Sequence, residues 1–236
     1  MRLDRYLVEY GLAQTRSKAQ QLIKARQVLV DGVIVDKNAV DITRESVEVI
    51  GELPYVSRAA LKLKYFLPLL PFTCKGMHVL DIGSSTGGFT QVLLESGAGH
   101  VDAVDVGREQ LHVSLKNDER VTSYEQTDIR NFQSDTRYEL ITSDVSFISL
   151  HHILDDIDRL AAQWIILLFK PQFEVGREAK RDKNGVLKDQ KAIDKAMMQF
   201  EDACHIKGWK LIHKAAATIT GKEGNIEYCY CYEKAH

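Results

Sequence analysis

The sequence lacks an apolar run long enough to cross a bilayer. Its longest strongly apolar run, residues 164–169, is far shorter than the roughly 18 to 20 residues that a membrane-spanning helix needs. The first residues place charges among the apolar positions, so they also lack the continuous apolar core of a secretory signal. We therefore expect no membrane partner and a cytoplasmic location.

Cysteine is scarce, and its spacing is not that of a metal site. The chain has four cysteines, of which only Cys229 and Cys231 are close in sequence. They form C-x-C, whereas zinc sites typically use C-x-x-C. On a strand, both side chains would lie on one face as small buried groups. We therefore expect no bound metal.

An overall excess of one charge sign is absent, since the net charge is −2. The charges are nevertheless unevenly distributed. Residues 1–30 contain six Lys or Arg against two acids, and residues 31–50 contain two against five. A basic segment of this kind either contacts a polyanion or is a solvated helix surface. Charge alone leaves both interpretations open.

The first fifty residues show two helical patterns followed by a hairpin pattern. Residues 3–10 have apolar side chains at helical spacing, and Thr15 is a typical N-cap for a second helix. Residues 28–30 and 33–35 are apolar and are joined by Asp-Gly, a sequence that favours a type I′ turn. The pattern predicts a compact αα-ββ unit.

This segment, RLDRYLVEYGLAQTRSKAQQLIKARQVLVDGVIV, resembles the S4 domain, a small RNA-binding module. The resemblance covers about the first fifty residues. It implies that basic side chains neutralise RNA phosphates. The candidate RNA-binding residues in this segment are Arg2, Arg5, Arg16, Lys18 and Arg26.

A segment with helix breakers follows this unit at residues 51–56, where Gly51 and Pro54 interrupt regular structure. We therefore predict an RNA-binding domain at residues 1–50, a linker at 51–56 and a second domain at 57–236. From residue 78 onward, apolar runs alternate with amphipathic stretches, which predicts an α/β fold with a doubly wound parallel sheet. Ligands of such folds bind at the carboxyl ends of the strands.

The first of these predicted strands ends at Asp81 and leads into a glycine-rich loop. The loop lacks the Gly-Lys-Ser/Thr ending of a phosphate loop and the G-x-G-x-x-G spacing of dinucleotide sites. The second strand ends at Asp105, where a carboxylate can accept hydrogen bonds from both ribose hydroxyls. S-adenosylmethionine contains a ribose without phosphate, so it fits a site of this kind. The alternative is that Asp105 caps a helix or is a solvated acid.

The motif Asp81-x-Gly-x-x-x-Gly-Gly, followed by an acid at the end of the next strand, resembles the pattern of class I methyltransferases. The resemblance implies that residues 83–88 surround the methionine part, that Asp105 holds the ribose and that Asp128 faces the adenine. At Asp128 the chain departs from the family pattern, which has asparagine. The candidate cofactor-binding residues are Asp81, Gly83, Ser84, Ser85, Thr86, Gly87, Gly88, Phe89, Asp105, Val106, Asp128 and Ile129.

Four further charged residues are candidates for catalysis. Asp144 and Lys170 end two apolar strands, Lys62 lies in a helical stretch before the first strand, and Glu227 begins the last apolar run. Burial or a neighbouring cation lowers the pKa of a lysine toward that of a general base. Four surface or paired charges would be the alternative interpretation.

In order and context, these four residues resemble the Lys-Asp-Lys-Glu tetrad of FtsJ-type ribose 2′-O-methyltransferases. With the N-terminal module, nearly the whole chain resembles the haemolysin A-like TlyA family, through YVSRAALKL, LDIGSSTGGFT, SDVSFISL, FKPQFEVGRE and GNIEYCYCYEK. The resemblance implies methylation of cytidine ribose in ribosomal RNA or ribosomal subunits, with S-adenosylmethionine as cofactor. Lys170 would be the general base, Lys62 would stabilise the alkoxide, and Asp144 and Glu227 would orient the two amines.

Two other functions are alternatives to ribose methylation. A non-catalytic RNA-binding or haemolytic, membrane-active protein would need no tetrad, and no basic amphipathic helix supports membrane action. Base methylation typically uses a cysteine after proline, and no proline of this chain precedes a cysteine.

Residues 176–195 hold seven Lys or Arg against four acids. This stretch is either a solvated loop or a mobile segment that closes over RNA through Lys180 and Arg181.

Overall fold

The computed structural model describes residues 1–13, 15–50, 55–176, 178–183, 185–221 and 224–235. The chain forms two compact units, Met1–Pro54 and Tyr55–His236. Residues 51–54 of the expected linker lie outside the described residues. The second unit begins at Tyr55, whose hydroxyl donates a hydrogen bond to Glu95 Oε2 at 2.9 Å. It therefore includes the last two residues of the expected linker.

The first unit contains two helices and a small antiparallel sheet. Thr15 caps the second helix, because its Oγ1 accepts a hydrogen bond from the Lys18 N–H at 3.1 Å. Asp31 and Gly32 have φ angles of 49° and 75°, as a tight hairpin turn requires. A third strand pairs with the first, giving the order β2-β1-β3. The elements are α1 (Leu3–Glu9), α2 (Arg16–Lys24), β1 (Val28–Val30), β2 (Val33–Ile34) and β3 (Val47–Val49).

The apolar stripes of both helices form the core of this unit. Leu3, Leu7, Ala19 and Ile23 are fully buried, which agrees with their helical spacing. Asp4 is buried beside them, where it accepts hydrogen bonds from Arg2, Arg16 and Gln20.

The second unit contains a seven-stranded sheet with the order β6-β5-β4-β7-β8-β10-β9. Strands β4 to β8 are parallel, and β10 and β9 are antiparallel to their neighbours. The predicted α/β fold is therefore confirmed, with an antiparallel pair at one side. The strands are β4 (His78–Ile82), β5 (His100–Val104), β6 (Val121–Tyr124), β7 (Tyr138–Ser143), β8 (Ala161–Phe169), β9 (Trp209–Ala216) and β10 (Tyr228–Lys234).

Helices connect these strands, and their apolar residues pack on the sheet. Strands β4, β5 and β8 are almost continuously buried, as expected for strands with both faces covered, whereas the edge strand β6 is partly exposed. None of the described helices is long and apolar enough to span a membrane. The helices are α3 (Ala59–Phe66), α4 (Gly88–Glu95), α5 (Val113–Lys116), α6 (Leu154–Leu160), α7 (Pro171–Glu174) and α8 (Gln190–Ile206).

Several aromatic and sulfur-containing side chains fill the interior of the second unit. Trp209 is buried, and its Nε1–H donates to Asp158 Oδ1 at 2.8 Å. Trp164 stacks on Phe72 with a centroid distance of 4.3 Å. The four cysteines are buried and unpaired, and those on β10 share one face as expected. Burial raises the pKa of the Cys74 thiol to about 11, so these thiols are apolar groups of the core.

Candidate active site

A cavity of about 510 Å3 opens at the carboxyl ends of the parallel strands. We call it the lysine cavity. Lys62, Asp144, Lys170 and Glu227 all line it, although they are separated by up to 165 residues in sequence. The structure thus brings all four candidate catalytic side chains together.

Strand register explains why these residues meet. Asp144 follows β7, whose last residue pairs with Ile82 at the end of β4. Lys170 follows β8, and Glu227 precedes β10. Because β8 and β10 run antiparallel with Phe169 opposite Tyr228, one strand leaves the sheet edge where the other enters it.

The four charges form two buried pairs. Lys62 Nζ donates to Glu227 Oε2 at 2.5 Å, and Lys170 Nζ lies 2.5 Å from Asp144 Oδ1. Asp144 Oδ1 has no hydrogen-bond partner among the described residues, so its contact with Lys170 Nζ is an ion pair without hydrogen-bond geometry. Lys170 Nζ also contacts Ser146 Oγ at 2.7 Å. Each amine therefore has a carboxylate to orient it, as buried charges require.

Two residues that the sequence did not single out complete the surroundings of Glu227. Gln172 donates from Nε2 to Glu227 Oε1 at 2.8 Å. A Cβ atom on Gly221 would lie 2.4 Å from the same oxygen, so only glycine leaves room there. Gln172 Oε1 is buried without a hydrogen-bond partner in the described part of the chain. Sequence spacing gave no signal for either residue.

A second cavity of about 360 Å3, the Asp105 cavity, adjoins the first, and five lining residues are common to both, namely Gly83, Ser85, Asp144, Ser146 and Phe147. Asp105 Oδ2 accepts from the Ser85 N–H at 2.8 Å, and Oδ1 accepts from the Gly107 N–H at 2.6 Å. A carboxylate oxygen has two acceptor sites, so each oxygen can accept a further hydrogen bond. Val106 also lines this cavity and is 72% exposed.

The glycine-rich loop lies between the two cavities. Gly83 has a φ of 77°, and a Cβ on it would lie 3.1 Å from Val145. Most of the candidate loop residues line the lysine cavity, namely Gly83, Ser84, Ser85, Thr86, Gly88 and Phe89. Gly87 lines neither cavity. Its φ is 98°, and a Cβ there would lie 2.2 Å from Leu115, so its role is in packing.

Asp81 also lines neither cavity, and its expected contact with the cofactor stays a prediction. It is fully buried, and its two oxygens accept from the hydroxyls of Thr90 and Thr142 at 2.7 and 2.8 Å. Desolvation raises the pKa of Asp81 from 3.8 to about 6, because it outweighs the two threonine hydrogen bonds. Asp81 therefore ties the loop to the sheet from beneath.

Asp128 and Ile129 line the Asp105 cavity. The Asp128 side chain caps the short turn Ile129–Asn131 and is bound by Arg130, with Nη2 2.5 Å from Oδ2. Hydrogen bonds from Arg130 lower the pKa of Asp128. Its carboxylate is thus already engaged on one side, which reduces its capacity for a ligand.

Phe147 is the most exposed large apolar side chain at the site. It is 91% exposed, has a φ of 66° and lines both cavities. Phe173 lies beside it with a ring-centroid distance of 5.2 Å. Positive φ is costly for a bulky residue and often marks a functional position. The motif SDVSF contains this residue, but nothing in its spacing indicated exposure.

In the first unit, the candidate RNA-binding side chains differ in their surroundings. Arg2 and Arg16 are about half exposed and bind Asp4, with Nε–O distances of 3.2 and 2.9 Å. Burial raises the pKa of Asp4, but hydrogen bonds from Gln20, Arg16 and Arg2 outweigh it, and the pKa falls to about 2. Arg26 pairs with Asp36 at 2.6 Å. The other two, Arg5 and Lys18, are exposed.

The basic stretch at residues 176–195 makes more contacts with the rest of the second unit than its composition indicated. Residues 177 and 184 lie outside the described residues. Leu187 is buried, and its N–H donates to Asn225 Oδ1 at 2.9 Å, while α8 begins at Gln190. Lys180 and Arg181 are exposed, and Arg181 Nη2 donates to the Gln172 carbonyl oxygen at 3.3 Å. The stretch is therefore anchored next to the lysine cavity.

Comparison with known families agrees with this division of the chain. Residues 55–234 match the FtsJ-like methyltransferase family, and residues 1–47 match the S4 domain. A solved structure of a Streptococcus thermophilus protein is similar to the chain with a TM-score of 0.75 and 34% identity. That similarity covers 100% of this chain and 88% of the other.

Two curated relatives are similar over nearly their full length. The 23S rRNA (cytidine-2'-O)-methyltransferase TlyA of Campylobacter jejuni subsp. jejuni serotype O:23/36 (strain 81-176) is 48% identical, over 99% of this chain and 100% of that protein. The 16S/23S rRNA (cytidine-2'-O)-methyltransferase TlyA of Mycobacterium tuberculosis (strain ATCC 25618 / H37Rv) is 38% identical, over 96% of this chain and 87% of that protein. The chain therefore belongs to the TlyA family of FtsJ-like methyltransferases.

Proposed function

We propose that this chain transfers a methyl group from S-adenosylmethionine to the ribose 2′-hydroxyl of a cytidine in ribosomal RNA. The observation that supports this most is the pair of buried lysine–carboxylate contacts in the lysine cavity, directly beside the Asp105 cavity. The names of both TlyA relatives agree with this reaction. Because the proposed substrate is ribosomal RNA, we also propose the cytoplasmic location that the sequence predicts.

The Asp105 cavity has the chemistry of a nucleoside site. Asp105 supplies acceptors for ribose hydroxyls, and Val106, Ile129 and Ile148 supply apolar surface for the faces of a purine. No Lys or Arg is among its described lining residues, so nothing there would bind a phosphate. A nucleoside without phosphate therefore fits the cavity, as S-adenosylmethionine requires.

The adjoining glycine-rich loop suits the methionine end of the cofactor. Gly83 and Ser85 line both cavities, so a ligand with two ends can lie across the loop. The loop glycines leave room for neighbouring protein atoms, since a Cβ on Gly83 would lie 3.1 Å from Val145 and one on Gly88 would lie 2.2 Å from Ser57. Asp81, Gly87 and the Arg130-bound side of Asp128 would act through packing and loop position.

The lysine cavity has the chemistry for activating a hydroxyl. S-adenosylmethionine supplies the electrophilic methyl group when it is bound. Lys170, in its neutral form, takes the proton of the ribose 2′-hydroxyl as that oxygen becomes the nucleophile. Lys62 stabilises the negative charge that develops on the oxygen. Asp144 and Glu227 hold the two amines in place and balance their charge.

RNA would be held by both units. The half-exposed guanidinium groups of Arg2 and Arg16 are oriented by Asp4, which lowers the entropy they lose on meeting phosphates. The exposed ring of Phe147 offers a face on which a base can stack at the mouth of the lysine cavity.

Nucleoside mapping of methylated ribosomal RNA with two variants tests this proposal. Lys170→Ala should abolish 2′-O-methylation while cofactor affinity stays within a few fold, because the proton transfer occurs only in the transition state. Asp105→Ala should weaken cofactor affinity by roughly 1.5 to 3 kcal/mol, the value of a charge-assisted hydrogen bond. The exposed residues in Lys75→Ala and Asp135→Ala lie away from both cavities and from the basic stretch, so these variants are the matched controls.

Two outcomes would contradict the proposal. If Lys170→Ala retained wild-type turnover, the general-base assignment would be wrong. If calorimetry gave unchanged affinity for a folded Asp105→Ala protein, Asp105 would not belong to the ribose site.

A further inference from the structure

Three potential metal ligands lie together at the amino ends of β4 and β5, away from the lysine cavity at the carboxyl ends. His78 begins β4, His100 begins β5, and the two residues are direct partners in the parallel ladder. Asp102 follows His100 by two residues, so its side chain lies on the same face of the sheet. The cluster is thus created by register between two buried strands.

The three side chains already converge. His78 Nε2 lies 3.1 Å from Asp102 Oδ2, and His100 Nε2 lies 3.3 Å from Asp102 Oδ1. The potential ligand atoms are all within 4.8 Å of one another. With metal–ligand bonds of about 2.0 to 2.2 Å and tetrahedral angles, two zinc ligands lie about 3.4 Å apart. The two observed nitrogen–oxygen separations, one to each oxygen of the Asp102 carboxylate, differ from that value by only a few tenths of an ångström.

The charge balance of Asp102 also favours a cation at this position. Asp102 is only 5% exposed, and its ion-pair partners among the described residues are the two histidines. A buried carboxylate is costly without a countercharge. A divalent ion in place of the bridging N–H protons would provide it.

A buried tyrosine holds the Asp102 carboxylate in place. Tyr138 donates its hydroxyl to Asp102 Oδ2 at 2.6 Å. Burial and then this hydrogen bond raise the pKa of Tyr138, so the hydroxyl remains a donor. Partners of this kind orient carboxylate ligands in metal sites. The two histidine side chains are 37% and 36% exposed, which leaves an entry path and room for a water ligand.

We propose that His78, His100 and Asp102 bind a divalent transition-metal ion of the Zn2+ type. Two imidazoles and one carboxylate, with solvent at the fourth position, are a ligand set that suits Zn2+. The ion would join the starts of β4 and β5 at the end of the sheet opposite the lysine cavity. The spacing of the cysteines predicted no metal, but the histidines are 22 residues apart and meet only through strand register.

Titration calorimetry of the full, untagged chain tests this site. After treatment with a chelator, the wild-type protein should bind one equivalent of Zn2+ supplied as zinc chloride. His78→Ala with His100→Ala should remove this binding, and Tyr138→Phe should weaken it by about tenfold, because it removes the hydrogen bond that orients Asp102. His205→Ala changes an exposed histidine on α8 and should leave the binding unchanged.

Circular dichroism verifies that each variant is folded, and His100→Gln with His78→Gln provides a second pair that keeps polar side chains on the strands. Zinc should also raise the melting temperature of the wild-type protein and not that of either double variant. The proposal is wrong if the wild-type protein binds no stoichiometric zinc. It is equally wrong if a folded double variant binds zinc as the wild-type protein does.

Discussion

Gly221 is the residue that sets how closely the backbone passes the Glu227 carboxylate. That carboxylate binds Lys62 through one oxygen and Gln172 through the other. A methyl side chain on Gly221 would overlap the second oxygen, at 2.4 Å. The backbone at Gly221 does not have a positive φ, so the requirement for glycine is one of space alone.

We expect Gly221→Ala to lower methyl-transfer turnover roughly 10- to 100-fold, because a displacement of about 1 Å at a catalytic group has effects of this size. Cofactor affinity should change little, since the Asp105 cavity is lined by other residues. Gly176→Ala is the matched control, because a Cβ there has no atom within 4 Å. Single-turnover kinetics measures both variants. Wild-type turnover in Gly221→Ala would show that Glu227 does not position Lys62.

At the scale of elements, Asp81 connects three of them. It lies in β4 and accepts hydrogen bonds from Thr90 of α4 and Thr142 of β7. Its pKa rises from 3.8 to about 6 through burial, so the folded protein binds a proton there more tightly than the unfolded chain. The group therefore favours folding at low pH, and this contribution is lost as the pH rises through about 6.

We expect Asp81→Asn to gain stability relative to the wild-type protein as the pH rises from 4.5 to 7.5. Two pKa units correspond to roughly 3 kcal/mol, which is an upper limit for the relative change. Urea unfolding followed by circular dichroism at both pH values measures the difference. The other ionisable groups are common to both proteins, so their contributions cancel apart from the coulombic coupling between Asp81 and Asp144. A difference in unfolding free energy that is equal at both pH values would rule out titration of Asp81.

The strand ends explain how much could be predicted from the sequence. The apolar runs indicated the strands, and parallel strands present their carboxyl ends at one edge, so Asp105, Asp144 and Lys170 were expected near the cofactor. Periodicity does not reveal spatial neighbours, however. The placement of β10 between β8 and β9 was therefore not predictable.

Residue contacts set the limits within the site. The position of Asp81 near a strand end made it a candidate to bind the cofactor. Its hydrogen bonds to Thr90 and Thr142, which hold its side chain away from both cavities, cannot be inferred from the sequence. Gly221, Gln172 and Phe147 gave no signal because their roles depend on partners distant in sequence. The cluster of His78, His100 and Asp102 gave no signal for the same reason.

At the scale of the whole molecule, basic charge is divided between the two units although the net charge is only −2. Residues 1–30 hold one basic region, and residues 176–195 hold another next to the lysine cavity. Lys180 and Arg181 are exposed in the latter. An RNA bound by both units would therefore release counterions from two separate surfaces.

We expect Lys180→Glu with Arg181→Glu to weaken RNA binding and to flatten its salt dependence. Two lost phosphate contacts reduce the slope of log K against log salt concentration by about 1.4 to 1.8. Cofactor affinity should stay unchanged. Filter binding across a salt series measures this, with Lys75→Glu and Lys210→Glu as a charge-matched control. If the affinity and the slope were those of the wild-type protein, this stretch would be an ordinary solvated loop.

The positions of the two tryptophans have an optical consequence. Both belong to the second unit: Trp164 is stacked on Phe72, and Trp209 is bound to Asp158. Neither lines the lysine cavity or the Asp105 cavity, and the first unit contains no tryptophan. Intrinsic emission excited at the red edge of the absorption band will therefore report the melting of the second unit alone. A tryptophan introduced into the first unit would supply the second, separate signal.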